Sequence, residues 1–209
     1  MQTHTTNGPQ HVIGEKTATV ARIEPNLIRL LVYWFTTVVI LLELLAGSVW
    51  NLLTIDWIEA QMDHLGYPHY FAYILGGWLI GAALAIAVPG FGLLKEWAYA
   101  GIFLLWSGAV VSHLALGDGP VSWGAPLMFL VLGVASWALR PADRRLPQTR
   151  LRRDQRADAG PDTAGRRAWV ASIGLIVVLS AISLLTLPVA EEVTSKWPAE
   201  RGWVDEQRP

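Results

Sequence analysis

Residues 26–53 read NLIRLLVYWFTTVVILLELLAGSVWNLL, and Arg29 and Glu43 are the only charges among these 28 positions. As a helix rising about 1.5 Å per residue the block reaches about 42 Å, more than the ~30 Å hydrocarbon thickness of a bilayer. It therefore spans a membrane, tilted or protruding. Twelve Leu, Ile, Val and Phe lie between Leu30 and Val49. Each favours insertion by about 0.3–0.6 kcal/mol, which outweighs the few kcal/mol that one central carboxylate costs. Four further apolar blocks follow at 70–88, 96–116, 122–139 and 169–190, each bounded by Pro, Gly or charge. The expected fold is an all-α membrane protein: a four-helix transmembrane bundle plus a fifth C-terminal transmembrane helix.

Composition agrees. The 209-residue chain is 53% hydrophobic and 16% charged, where soluble domains carry about 25% charged residues. Its 11 Trp and 19 Gly suit membrane spans, in which Gly and interfacial Trp are enriched. With no cysteine, the chain offers no disulfide, iron–sulfur cluster, thiolate-bound haem or cysteine nucleophile.

Cations and acids alternate across the connections. Lys16, Arg22 and Arg29 come with the first helix, Lys95 lies in the second connection, and nine arginines crowd residues 140–167. The connection at 54–69 carries Asp56, Glu59 and Asp63 without Lys or Arg, and the one at 117–121 carries only Asp118. Thirteen of the sixteen Lys and Arg thus fall on one side, which the positive-inside rule makes cytoplasmic. The organisation expected is a disordered cytoplasmic arm (1–25), a four-helix unit (26–140), an Arg-rich cytoplasmic linker (141–168), a fifth helix (169–190) and an outside tail (191–209). The linker needs no nucleic acid to explain it. Topology already demands cations there, and anionic lipid headgroups attract them at about 1 kcal/mol per basic residue.

Several polar residues within the apolar blocks need partners. An intramembrane acid normally faces the bundle interior, and Thr36, Glu43, Gly47 and Trp50 or Asn51 recur on one helical face. Glu43 is either a neutral carboxyl bonded to a neighbouring helix or a proton or ligand site. His113 lies at matching depth, on the stripe of Tyr99 and Trp106. Glu43, Trp50, Asn51, Ser112 and His113 therefore define a candidate outer-leaflet pocket, with His64, His69, Asp56 and Asp118 in or near the connections above it. Haem ligation by His69 and His113 is a weak reading, because the two lack any characteristic spacing. The Gly77, Gly81 and Ala85 stripe predicts close approach by another helix, and Pro126 predicts a bend. No Walker loop, dinucleotide GxGxxG, HExxH or GxSxG motif occurs. The sequence therefore predicts no metal site and no stand-alone enzyme.

The strings Leu65-Gly66-Tyr67-Pro68, Leu94-Lys95-Glu96-Trp97-Ala98-Tyr99-Ala100-Gly101, Ser112-His113-Leu114 and Gly117-Asp118-Gly119 resemble the DoxX-like family in order and spacing. The resemblance covers roughly residues 27–140. It marks Lys95, Glu96, Trp97, Tyr99, Gly101 and Asp118 as motif residues. It implies a four-helix bundle in a prokaryotic cytoplasmic (inner) membrane. Relatives include a quinone-linked thiosulfate-oxidising subunit and a membrane partner in a redox-protective complex. The function this implies is a quinone-interacting component of a membrane redox assembly. The bound molecule would be a quinone and the partner a separate redox subunit, with Glu43 as proton acceptor and His113 as relay. The alternatives are a small transporter and a non-catalytic structural membrane partner. The linker, the fifth helix and a tail containing Trp197 and Trp203 extend beyond the four-helix pattern.

Overall fold

A computed structural model describes residues 25–141 and 163–203. The arm expected at the N-terminus, most of the arginine linker and residues 204–209 lie outside the described residues. The described chain is helical, in the order α1 (Pro25–Leu53), α2 (Asp56–Leu65), α3 (Tyr70–Ala87), α4 (Gly92–Ala115), α5 (Pro120–Leu139), α6 (Thr163–Thr194) and α7 (Trp197–Glu200). All but α2 and α7 are long and apolar enough to cross a bilayer. The five expected spans are therefore present.

Three boundaries differ from the sequence reading. The helix expected at 96–116 begins at Gly92, so Lys95, read as part of the second connection, stands in the first turn of α4. The fifth span, expected at 169–190, is part of a helix running from Thr163 to Thr194. Hydrocarbon limits where apolar residues must be, but the helical hydrogen-bond ladder continues through Arg166, Arg167, Glu191 and Glu192 into the polar interface. The segment 54–69, read as a plain connection, contains α2. This helix is short and carries three acids, so it has no span-like signature. Its apolar face is Ile58 and Met62, one turn apart and both buried. It closes on Gly66 at φ 73, where the Gly66 amide donates to the Asp63 carbonyl and the Tyr67 amide to the Met62 carbonyl, a left-handed cap that glycine adopts without cost.

α1 is the central helix and packs against α3, α5 and α6, while α4 packs against α3 and α5. Ile40, Leu41, Leu44 and Leu45 of α1 form one core with Leu79, Ala83 and Ile86 of α3, Tyr99, Ile102 and Trp106 of α4, and Leu179 of α6. Phe35, Trp78, Leu104, Val131 and Leu185 point outward, as lipid-facing residues do.

Apolar contact gives helices little net drive to associate in oil, so close packing and polar bonds carry specificity. The Thr37 and Tyr99 hydroxyls each lie 2.8 Å from Ser136 Oγ, tying α1, α4 and α5 together. Ser48 Oγ donates to the Gly76 carbonyl at 3.0 Å, and Ser172 Oγ donates to the Ala87 carbonyl at 2.8 Å, which anchors α6 on the end of α3. The close approach of α1 and α3 occurs at Gly76, where a Cβ would meet Leu52 Cγ at 2.7 Å. Gly77 and Gly81 have open space instead, with nothing within 4 Å of a Cβ. Of the stripe read from sequence only Ala85 is buried in the core; the small residues buried on α3 otherwise are Ala72, Gly76, Ala83 and Ala87. Spacing identified a small-residue helix but not the face it turns to its neighbour.

Gly76→Val overfills this contact and is expected to destabilise the protein by about 1–3 kcal/mol, whereas Gly77→Ala is expected to stay within about 0.5 kcal/mol of wild type. Thermal unfolding of the two variants in detergent checks the difference.

Candidate functional site

α4 carries chemistry at both ends. At its start, Lys95 is 1% exposed. Its ammonium donates to the carbonyls of Ala85 at 2.9 Å and Ile86 at 2.7 Å, and also to that of Val88. These carbonyls end α3 and have no further turn to bond with, so the cation both satisfies them and complements the negative end of the helix dipole. Next to it, Glu96 Oε2 accepts from Trp137 Nε1 and Oε1 accepts from Arg140 Nη2, both at 2.8 Å. The Arg140 guanidinium also lies 4.9 Å from the centre of the Tyr99 ring.

From this polar end a groove of about 820 Å³ runs between α4 and α5. Trp97, Tyr99, Gly101, Phe103, Leu104, Trp106, Val134 and Trp137 are among its lining residues. Gly133 gives it depth, since a Cβ there would come within 3.1 Å of the Trp106 ring. Trp97 is 72% exposed on its rim.

At the far end of α4 stands a different constellation. His113 Nδ1 donates to Asp118 Oδ2 at 2.6 Å, and His64 Nε2 lies 2.9 Å and 3.0 Å from the two Asp118 oxygens. Gln61 Nε2 approaches His113 Nε2 at 3.4 Å. Reading the amide as donor makes that nitrogen the acceptor and leaves the proton on Nδ1, facing Asp118. Three elements supply the cluster: α2 gives Gln61 and His64, the last turn of α4 gives His113, and the turn before α5 gives Asp118. Desolvation by itself would raise the Asp118 pKa, but the hydrogen bonds and charge of His113 and His64 outweigh it, so the carboxyl is held below its ordinary range.

The C-terminal segment covers this cluster. The Trp203 ring stacks on His64 at 4.6 Å, on His113 at 5.6 Å and on Trp57 at 4.9 Å between centroids. Arg201 places its guanidinium 4.7 Å from the Trp57 ring and 4.8 Å from that of Trp197.

The residues expected to share an outer-leaflet pocket are distributed differently. Glu43 is half-buried on α1 and forms no hydrogen bond to His113 among the described residues. Trp50 packs on the Ile55, Ile58, Met62 and Ala72 cluster. Asn51 Nδ2 donates to the Gly47 carbonyl at 2.7 Å, leaving its buried Oδ1 without a partner. Ser112 pairs with the Tyr67 hydroxyl at 3.0 Å. His69 turns to Asp63 at 3.5 Å rather than to His113. Of the family-motif residues, Glu96, Trp97, Tyr99 and Gly101 line the groove, Lys95 caps α3, and Asp118 joins the histidine cluster. Sequence reasoning missed Gln61, Trp57, Arg201 and Ser136. An i, i+3 pairing of Gln61 and His64 on a short helix was the available signal for the first.

The fold defines a multi-pass membrane protein. Residues 35–136, from within α1 to near the end of α5, match the DoxX-like family, and this part of the chain belongs to that family. The match contains the His64–His113–Asp118 cluster and the groove up to Val134, but not Trp137 and Arg140 at the groove's polar end, nor α6, α7 or Trp203. Comparison with curated proteins and with solved structures gives no significant match.

Trp57→Ala removes two aromatic contacts and one cation–π contact from the C-terminal segment, interactions worth about 0.5–1.5 kcal/mol each. Tryptic cleavage after Arg201 is expected to run roughly tenfold faster in this variant, as followed by mass spectrometry. Equal rates would show that other contacts hold the segment.

Proposed function

We propose that this DoxX-like membrane protein is a non-catalytic, quinone-binding component of a membrane redox assembly. The observation that carries the reading is the α4–α5 groove. Its volume of about 820 Å³ lies within the ~300–1,000 Å³ of small-molecule sites, which are mostly apolar with a few placed polar groups. It opens between two spans, so a lipid-soluble ligand can enter sideways from the bilayer.

In this reading the isoprenoid tail lies along Phe103, Leu104 and Val134, and the ring sits at the Glu96–Tyr99–Trp137 end. There the Trp137 and Arg140 donors, now engaged by Glu96, are the groups able to bond quinone carbonyls. The head-group position thus moves away from Glu43 and His113, which share no bond, to the start of α4. Electrons come from a separate subunit. The membrane is the prokaryotic cytoplasmic one, with the groove's polar end and the arginine linker facing the cytoplasm and anionic lipid. The His64–His113–Asp118 cluster and the C-terminal segment then face outside.

A small transporter is the second reading, favoured by Glu43, a carboxylate inside a span with no hydrogen-bond partner among the described residues. Intramembrane acids of this kind mark ion pathways.

Quinone binding to the full chain in nanodiscs, measured by equilibrium partition, tests the first reading. Leu104→Trp and Val134→Trp fill the groove from exposed positions and are expected to weaken binding at least tenfold, about 1.4 kcal/mol. Leu185→Trp, on the lipid face of α6, is expected to leave it unchanged. Equal affinity in all four proteins would discard the groove as the site. In proteoliposomes, wild type and Glu43→Gln are expected to show the same ion leak; a flux lost in Glu43→Gln would favour the transporter.

A further inference from the structure

The far end of α4 offers a second site, independent of the groove. His113 lies seventeen residues beyond Glu96, about 25 Å along the helix. We infer that His64, His113 and Asp118 form a binding site for one divalent transition-metal ion of the zinc type, closed on one side by Trp203.

The donor set comes first. One nitrogen from each imidazole and one Asp118 oxygen all lie within 4.8 Å of one another. Metal–ligand bonds of about 2.0–2.2 Å in tetrahedral geometry place ligand atoms roughly 3.3–3.6 Å apart. The separations of 2.6 Å and 2.9 Å to Asp118 Oδ2 are those of protonated contacts, so an ion replaces shared protons with shifts of less than about 1 Å. Two imidazoles and one carboxylate suit zinc-like ions; calcium and magnesium prefer oxygen shells.

Preorganisation comes second. His113 is 0% exposed, and the His64 and Asp118 side chains are 19% and 11% exposed. The ligands stand on two helices and a short turn, which limits the entropy lost on binding. Gln61 supplies the outer contact that metal-bound histidines usually make. With the ion on Nδ1, the proton moves to Nε2, and a turn of the Gln61 amide presents its oxygen as acceptor.

Access comes third. A cavity of about 600 Å³ borders Asp118, with Ser122, Trp197, Glu200 and Arg201 among its lining residues. Three protein ligands beside such a cavity leave a fourth position for water.

Full-length protein, stripped with chelator in mild detergent, is titrated calorimetrically with Zn²⁺. One ion per chain is expected. Asp118→Asn and His113→Ala are expected to weaken binding at least ~100-fold, and Gln61→Leu about tenfold. His69→Ala, which removes the exposed His69–Asp63 pair, is expected to change nothing. No saturable binding, or binding retained by both ligand variants, overturns the proposal. Should those variants fail to fold, X-ray absorption of zinc-loaded wild type decides: two imidazoles and a carboxylate oxygen at about 2.0–2.2 Å support it, and a shell lacking two imidazoles overturns it.

Discussion

The Lys95 ammonium, buried against the last carbonyls of α3, is the interaction on which the placement of everything else depends. A helix ending near hydrocarbon leaves carbonyls that neither lipid nor a further turn can satisfy. A cation from the first turn of the next helix satisfies them and fixes how α4 leaves α3. Because α4 is one rigid rod, that junction sets both its ends. Glu96 and Tyr99 are aimed at α5 near the junction, and His113 is delivered to α2 and Asp118 at the far side.

The same rule, that polar groups in oil must find partners, explains the interior. Ser136 bridges Thr37 and Tyr99, joining three helices through one hydroxyl. Gly76 brings α3 close enough to α1 for Ser48 to reach its carbonyl. These contacts specify a unique arrangement where apolar attraction between helices is nearly indifferent to partner. α6 follows the rule too, docking through Ser172 and burying Leu179.

The C-terminal segment links the family unit to what lies beyond it. Trp203 and Arg201 fall outside residues 35–136, yet they pack on Trp57, His64 and His113 from within that unit. α6 is therefore more than an added span: it returns the chain to the same face as α2 and places an aromatic cover over the histidines.

Apolar length and loop charge determined the number of spans and the all-α class, because 18 or more apolar residues in oil have essentially one way to satisfy their backbone. Local strings were enough to identify the family and to mark Glu96, Tyr99, His113 and Asp118. The fold alone decided which of these meet. His64 and Asp118 are 54 positions apart, and no helical period relates them; Glu43 and His113, expected to share a pocket, form no bond to each other among the described residues. Side-chain spacing along one helix fixes a face, whereas the angle at which that face meets another helix is set by contacts such as Ser48 with the Gly76 carbonyl and Lys95 with the end of α3, which exist only once the helices are packed.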